Sequence, residues 1–264
     1  MLLDTHYHLD FLPLSERAAF LSAVDAAGGG IVPQTLTPES FRAQQQVPRA
    51  SLGFHPWAIE SREQADRQLR IFQQAVGTTR FIGEVGLDFS PRRLASASQE
   101  LQSDVFRSIV QTVRQRAEDN GSADTEPYVL SIHAVRSAGV AVDILAQAGV
   151  DSHDSSVVPV FHWFSGNSDE LTRVMRAGGY ISVNPRMLES KKGRAYVRQV
   201  PAERLLLETD LPKRQSSEVG EACGAAAADD VMSSLRWTLD RLSELRGSDV
   251  TAQIEENQRR LYGM

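Results

Sequence analysis

Tyr128-Val129-Leu130-Ser131-Ile132-His133 is a β-rich apolar run that ends on a histidine. A parallel strand covered on both faces reads as such a near-continuous run. Outward from it the same pattern recurs. Before it stand Leu2-Leu3, Ile31-Val32, Ser51-Leu52-Gly53-Phe54 and Phe81-Ile82-Gly83. After it come Val157 to Phe161, Tyr180-Ile181-Ser182-Val183 and Leu205-Leu206-Leu207. Helix punctuation lies between them. Ser15 is expected to cap the first helix and Gly28 to end it. Thr37-Pro38 fits an N-cap and first helical position. Asn120-Gly121, Gly149 and Gly178-Gly179 are stops, and Pro201 ends the seventh helix. Eight strand-like runs alternating with helices predict parallel βα units. A closed α/β fold, the TIM-type (β/α)8 barrel, is the simplest solution, and a doubly wound open sheet is the alternative.

Size and composition suit that reading. The chain has 264 residues, 41% of them hydrophobic, so residues 1–264 are expected to form a single barrel domain. The one cysteine, Cys223, excludes an intramolecular disulfide and fits a reducing cytoplasm, the expected location. No apolar run approaches the roughly 20 residues of a membrane span, and the opening Met1-Leu2-Leu3-Asp4-Thr5-His6 has no signal-peptide character. A formal charge of −6 gives no global attraction for nucleic acid, so an anionic substrate would need a local field such as bound metal ions supply. No internal repeat is found. Ser216 to Asp230, rich in Gly, Ala and Glu, is read as a long loop before the last large helix.

The chemistry sits where the runs end. The first ends in Asp4-Thr5-His6-Tyr7-His8, and alternation along a strand turns His6 and His8 to the same face. The fourth ends in Gly83-Glu84, the fifth in His133, the sixth in His162 and the eighth in Glu208-Thr209-Asp210. A barrel gathers such positions at the C-terminal mouth. A lone strand-end histidine is usually a packing residue. Four of the chain's six histidines at such positions, with Glu84 and Asp210, point instead to metal. Imidazole with carboxylate suits Zn, Mn, Fe or Ni, and Mg where waters complete the shell. Six ligands exceed the need of one tetrahedral ion and suit two ions sharing a carboxylate.

These motifs resemble the TatD family of DNases. Asp4-Thr5-His6-Tyr7-His8-Leu9-Asp10 is similar to its D-x-H-x-H opening, and Gly53-Phe54-His55-Pro56-Trp57 to its G-x-H-P segment. Ile82-Gly83-Glu84-Val85-Gly86-Leu87-Asp88-Phe89 resembles its G-E-x-G-L-D signature. Ile132-His133, Phe161-His162-Trp163-Phe164-Ser165-Gly166 and Leu207-Glu208-Thr209-Asp210 follow in the family's order. The likeness runs from Asp4 to Asn257–Tyr262. Three segments depart from it: Ala134-Val135-Arg136, Trp163, and Leu211-Pro212-Lys213-Arg214. All six ligands are present, so the departures bear on substrate rather than on metal.

The resemblance implies a barrel of the metal-dependent hydrolase type and two divalent ions (Mg, Mn or Zn). His6, His8, Glu84 and Asp210 would hold one ion; Glu84, His133 and His162 the other. Glu84 bridges, and Asp210 orients the attacking water or accepts its proton, so these two are the catalytic candidates. The implied reaction is hydrolysis of DNA phosphodiester bonds by a two-metal-activated water, on single strands or strand ends. His55, Asp88, Trp163, Lys191 and Lys192 are the substrate-side candidates. Asp88 is expected to orient a ligand or shape its loop, and Glu208 to support the site or pair as a buried acid. Arg92, Arg93, Arg136, Arg186, Arg194, Lys213 and Arg214 join the lysines as candidate phosphate contacts. Tyr7, Phe11, Trp57 and Phe89 join Trp163 as candidate stacking faces. Trp237 reads as packing, and His153 and Cys223 as incidental. A monomer is expected, with partner proteins from a defence or repair operon. The alternatives are a related hydrolase of an ester, lactone or aminoacyl-tRNA, and a scaffold subunit.

Overall fold

The structure, a computed structural model, describes residues 1–120, 126–150, 156–213 and 224–263. Gly121, His153, Arg214 and Cys223 lie outside the described residues. In chain order the elements are β1 (Leu2–Tyr7), α1 (Leu14–Ala26), β2 (Gly29–Pro33), α2 (Pro38–Gln44), β3 (Leu52–Phe54), α3 (Arg62–Ala75) and β4 (Phe81–Asp88). Next are α4 (Pro91–Leu94), α5 (Gln99–Asp119), β5 (Tyr128–Val135), α6 (Ala138–Gln147), β6 (Val157–His162), α7 (Ser168–Arg176) and β7 (Tyr180–Val183). The chain closes with α8 (Pro185–Glu189), α9 (Lys191–Gln199), β8 (Leu205–Leu207), α10 (Gly224–Arg246) and α11 (Thr251–Tyr262). Each of the eight expected runs is a strand, and the fold is an alternating α/β one.

Two compact units make up the chain: residues 1–34 with 182–264, and residues 35–181. In the second unit β3, β4, β5 and β6 are neighbours, in parallel pairs. Their apolar residues Leu52, Ile82, Val85, Leu130, Ile132 and Val160 are buried. Helix α5 packs on β4 and buries Val105, Phe106, Ile109, Val110 and Val113, a three-and-four spacing that puts one apolar stripe on the core. In the first unit β1 pairs with β2 in parallel, and β8 joins β1 through Asp210 N–H donating to His6 O at 3.1 Å. Phe20 and Val24 of α1, with Val231, Leu235 and Leu242 of α10, are buried there.

The register carries the main surprise. Ile82 pairs with Leu130 and Val85 with Ile132, so β4 uses three steps where β5 uses two. Against β3 the same step is taken between Leu52 and Phe54. Strand β4 therefore bulges by one residue at Gly83-Glu84. Strand β1 does the same: Asp4 pairs with Ile31 and Tyr7 with Pro33, which leaves an extra residue at Thr5-His6. Bulges are uncommon in parallel pairs and re-aim side chains.

Punctuation was partly as expected. Thr37 and Ser40 form a reciprocal capping box with Pro38 at the first position. Gly28, Gly149 and Gly178 take left-handed φ of 75°, 74° and 75° after their helices. Ser15 does not cap α1; the helix starts at Leu14 behind Pro13, which has no side-chain acceptor. Of the expected loop over Ser216 to Asp230, residues 216–223 lie outside the described residues, and the reading is corrected at residues 224–230, which belong to α10. Its first turns run Gly224-Ala225-Ala226-Ala227-Ala228, and alanine is the best helix former rather than a mark of soft chain. Trp237 is not packed: it is 48% exposed, because Val231, Leu235, Leu239 and Leu242 define the inward stripe of α10 on another side.

Candidate metal centre

In the second unit the donor set gathers on one carboxylate oxygen. Glu84 Oε1 lies 2.8 Å from His133 Nδ1, 2.8 Å from His162 Nε2 and 3.1 Å from His55 Nε2. Glu84 is 2% exposed. The bulge makes this possible: Glu84 and His133 do not end their strands, as the sequence suggested, but sit inside β4 and β5, which run on to Asp88 and Val135. Thr35 satisfies the displaced backbone. Its N–H donates to Gly83 O at 3.1 Å, and its carbonyl accepts from Glu84 N–H at 3.0 Å. Thr35 Oγ1 donates to Ser51 O at 2.8 Å and accepts from Gly53 N–H at 3.0 Å. Gly53 must be glycine for this approach, since a Cβ would fall 1.8 Å from Thr35 O and 2.7 Å from Glu84 N. Thr35 carries no motif signal in the sequence. Gly86 has a similar duty: at φ +135°, a Cβ would meet His133 O at 2.1 Å.

His55 lies beside Glu84 and His133. Its Nδ1 accepts the Trp57 backbone N–H at 3.0 Å, so its neutral ring carries the proton on Nε2, facing Glu84. Asp88 Oδ2 lies 3.5 Å from His133 Nε2 and accepts the Trp57 indole N–H at 2.6 Å. Its Oδ1 accepts from Ser90 N–H at 2.8 Å, and its own N–H donates to Gln102 Oε1 at 2.8 Å. Burial alone would raise the Asp88 pKa, but the hydrogen bonds from His133, Trp57 and Ser90 win and hold it below the usual carboxylate range. Burial likewise disfavours charge on His133, yet Asp88 and Glu84 outweigh it and raise the His133 pKa. A carboxylate behind a ligand imidazole is the usual device for fixing ring orientation.

In the first unit His6 Nε2 and His8 Nε2 lie 3.8 Å and 3.4 Å from Asp210 Oδ1. His8 has left the strand, yet both rings address that carboxylate. Asp210 follows β8 by three residues and takes a left-handed φ of 57°, which aspartate tolerates better than most residues. Asp4, fully buried, anchors the arrangement. Its Oδ1 accepts from His6 N–H and Thr209 N–H, each at 3.0 Å, and its Oδ2 accepts from Thr209 Oγ1. Burial pushes the Asp4 carboxyl up to about 7 against the pull of those bonds. Asp4 opens the D-x-H-x-H motif, which by itself does not mark it as the anchor of the two histidines. Glu208 is the buried acid expected, accepting from Ser182 Oγ and from Asn184 Nδ2 at 2.8 Å.

Several substrate-side candidates move. Tyr7 is no stacking face: it is buried and stacked on Phe20. Phe89 is 9% exposed. Arg93 donates to Ile59 O, and Arg194 donates to Leu188 O and Glu189 O at the end of α8, so both guanidinium groups hold backbone. Phe11 stacks on His8 at 4.8 Å. Arg92, Arg136, Arg186, Lys191, Lys192 and Lys213 remain exposed. Trp163 is half-buried at φ 40°, a conformation costly for a bulky side chain and of the kind that clusters at functional sites.

These donors fit divalent metal. Three imidazole nitrogens closing on one buried carboxylate oxygen, with two more aimed at a second carboxylate, match the ligand chemistry of first-row ions. Fold and donors define a metal-dependent hydrolase. The chain belongs to the family described as TatD related DNase, matched over residues 3–263. A Bacillus subtilis (strain 168) protein described as uncharacterized metal-dependent hydrolase YabD is 25% identical, over 80% of each chain. The 3'-5' ssDNA/RNA exonuclease TatD of Pantoea ananatis is 25% identical, over 95% of this chain and 94% of its own. Among solved structures, YJJV, a TatD homolog from Escherichia coli, covers 100% of this chain and 98% of its own with a TM-score of 0.76 at 23% identity. A TatD family hydrolase from Entamoeba histolytica has a TM-score of 0.73 at 16% identity, covering 99% and 97%. The fold is thus the TIM barrel of this hydrolase class. No helix among the described residues is long and apolar enough to cross a membrane.

Proposed function

We propose that this hydrolase is a divalent-metal-dependent deoxyribonuclease acting on unpaired DNA strands or strand ends. The observation that carries the reading is the Glu84 cluster: one buried carboxylate oxygen within 3.1 Å of three imidazole nitrogens. His6, His8, Glu84 and Asp210 would hold one ion, and Glu84, His133 and His162 a second. Bound ions supply Lewis acidity toward the phosphate and a water of lowered pKa. Glu84 supplies the negative charge that offsets the ions. Asp210, with its side chain 22% exposed, is the carboxylate open enough to orient water and accept its proton. Asp88 holds His133 in the tautomer that presents Nδ1 to Glu84. The working unit is proposed to be a monomer in the cytoplasm.

The test is a screen of 5′- and 3′-labelled single- and double-stranded DNA with Mg, Mn and Zn, before and after EDTA. Metal-restored cleavage that favours single strands is expected. Absence of cleavage with all three metals, or full cleavage by exhaustively metal-free protein, would remove the proposal.

A further inference from the structure

We propose that Trp57 forms a base-stacking subsite, on which an unpaired nucleobase of the substrate strand rests beside the Glu84 cluster. The inference rests on the DNA-cleaving reading above and adds to it a specific contact. Trp57 is 62% exposed, the most open of the chain's large aromatic side chains described. Exposing an indole is unfavourable in itself. It is also held in place. Its Nε1 donates to Asp88 Oδ2 at 2.6 Å, and its backbone N–H donates to His55 Nδ1 at 3.0 Å. Pro56 opens the short 3-10 turn Pro56–Ala58 that presents it. Its ring stands at 89° to His55, with centroids 5.4 Å apart, and at 70° to His133, 6.4 Å away. One edge of the indole is thus anchored while most of its surface meets water.

A packing role does not account for such a residue, because packing would cover it. What an anchored, open indole offers is a π surface at little entropic cost on binding. Asp88 then narrows the ligand. An anion bonded to the indole N–H disfavours a phosphate at that spot, whereas a neutral base carries no such penalty. The phosphates are left to the metal ligands, and the base goes to the ring. Paired bases keep their faces covered by the stack, so this contact selects unpaired nucleotides.

The experiment compares an oligodeoxyadenylate with the same strand made abasic, on wild type, Trp57→Phe and Trp57→Leu. Both substitutions lose the bond to Asp88, and Phe retains an aromatic face. In cleavage, Trp57→Leu should raise KM for the base-bearing strand by about 5- to 100-fold, leave KM for the abasic strand unchanged, and alter kcat little. Trp57→Phe should retain most of the base preference. Indole fluorescence of the wild type should be quenched by the base-bearing strand in a way that Trp57→Phe abolishes. Equal changes on both strands would mean that Trp57 acts only through Asp88, and no change on either would make it an ordinary surface residue; both overturn the subsite. Should wild type cleave neither strand, the nuclease reading fails, and the quenching still decides whether a base rests on Trp57.

Discussion

Strands β1 and β4 solve one problem by two means. Each runs one residue longer than its neighbour where it carries a candidate ligand, His6 in one and Glu84 in the other. In β4 the displaced backbone is matched by backbone: Thr35 gives and takes a hydrogen bond across Gly83-Glu84. In β1 a side chain does the work, with Gln34 Nε2 donating to Thr5 O at 3.1 Å. The carboxylates differ accordingly. Glu84 is buried inside a long strand, while Asp210 lies beyond a three-residue strand, partly exposed, on one left-handed residue. A ligand set by backbone pairing has one geometry; a ligand set by a single torsion can adjust. The first should fail abruptly when altered and the second by degrees.

The sharpest way to break this contrast is Glu84 itself. Glu84→Gln keeps the shape and removes the charge that three imidazoles share, so DNA cleavage should fall by roughly a thousandfold or more. Circular dichroism should remain that of the folded barrel, since the apolar core lies elsewhere. Near wild-type cleavage by folded Glu84→Gln would end the metal reading of this cluster. Glu84→Asp should be as damaging, because a carboxylate one methylene shorter cannot reach all three rings.

Asp210→Asn should cost less, about a hundredfold in kcat, as expected of a proton acceptor. Asp210→Glu should recover part of that loss, in contrast to Glu84→Asp. Equal intolerance of the two carboxylates to a change of length, measured as kcat at saturating Mn, would erase the distinction between the two regions.

Gly53→Ala tests the backbone side of the comparison. The added carbon falls on Thr35 O, and overpacking of this kind costs about 1–3 kcal/mol. For a chain of this size that is a fall of roughly 2–12 °C in Tm. Metal affinity by calorimetry should drop by about 10- to 100-fold, as when the support of a ligand is disturbed. A stable Gly53→Ala protein with unchanged affinity would show that Thr35 does not set Glu84.

The smallest effect is expected at Lys191 and Lys192, exposed in the first turn of α9, where Lys192 Nζ also lies 5.6 Å from the Tyr196 ring. Replacing both with alanine should weaken DNA binding a few-fold and lower the salt slope by up to about 2. An unchanged slope would return them to the generic charged surface.

Much of this was legible in the sequence. Parallel strands are apolar throughout, so all eight stood out, and Thr37-Pro38 and the glycine stops behaved as local chemistry requires. The six ligand candidates fall in two carboxylate clusters, one within each unit. What could not be read was register. Counting two residues per repeat assumes an unbroken ladder, and the extra residues at Thr5-His6 and Gly83-Glu84 depend on Gln34 and Thr35, which no pattern flags. For the same reason the fourth run looked finished at Glu84, although β4 continues to Asp88. Trp237 reads as core by its type, whereas its place on α10 lies off the apolar stripe.

The Thr35 clamp also sets what could be transplanted. Copying the histidines and Glu84 onto another barrel would move the donors without the device that aims them. The smallest portable unit is a three-part cassette: the segment carrying Thr35, the Gly53-to-His55 strand end and the bulged β4. A host scaffold with a regular fourth strand would turn the carboxylate at the Glu84 position to the wrong face of its sheet.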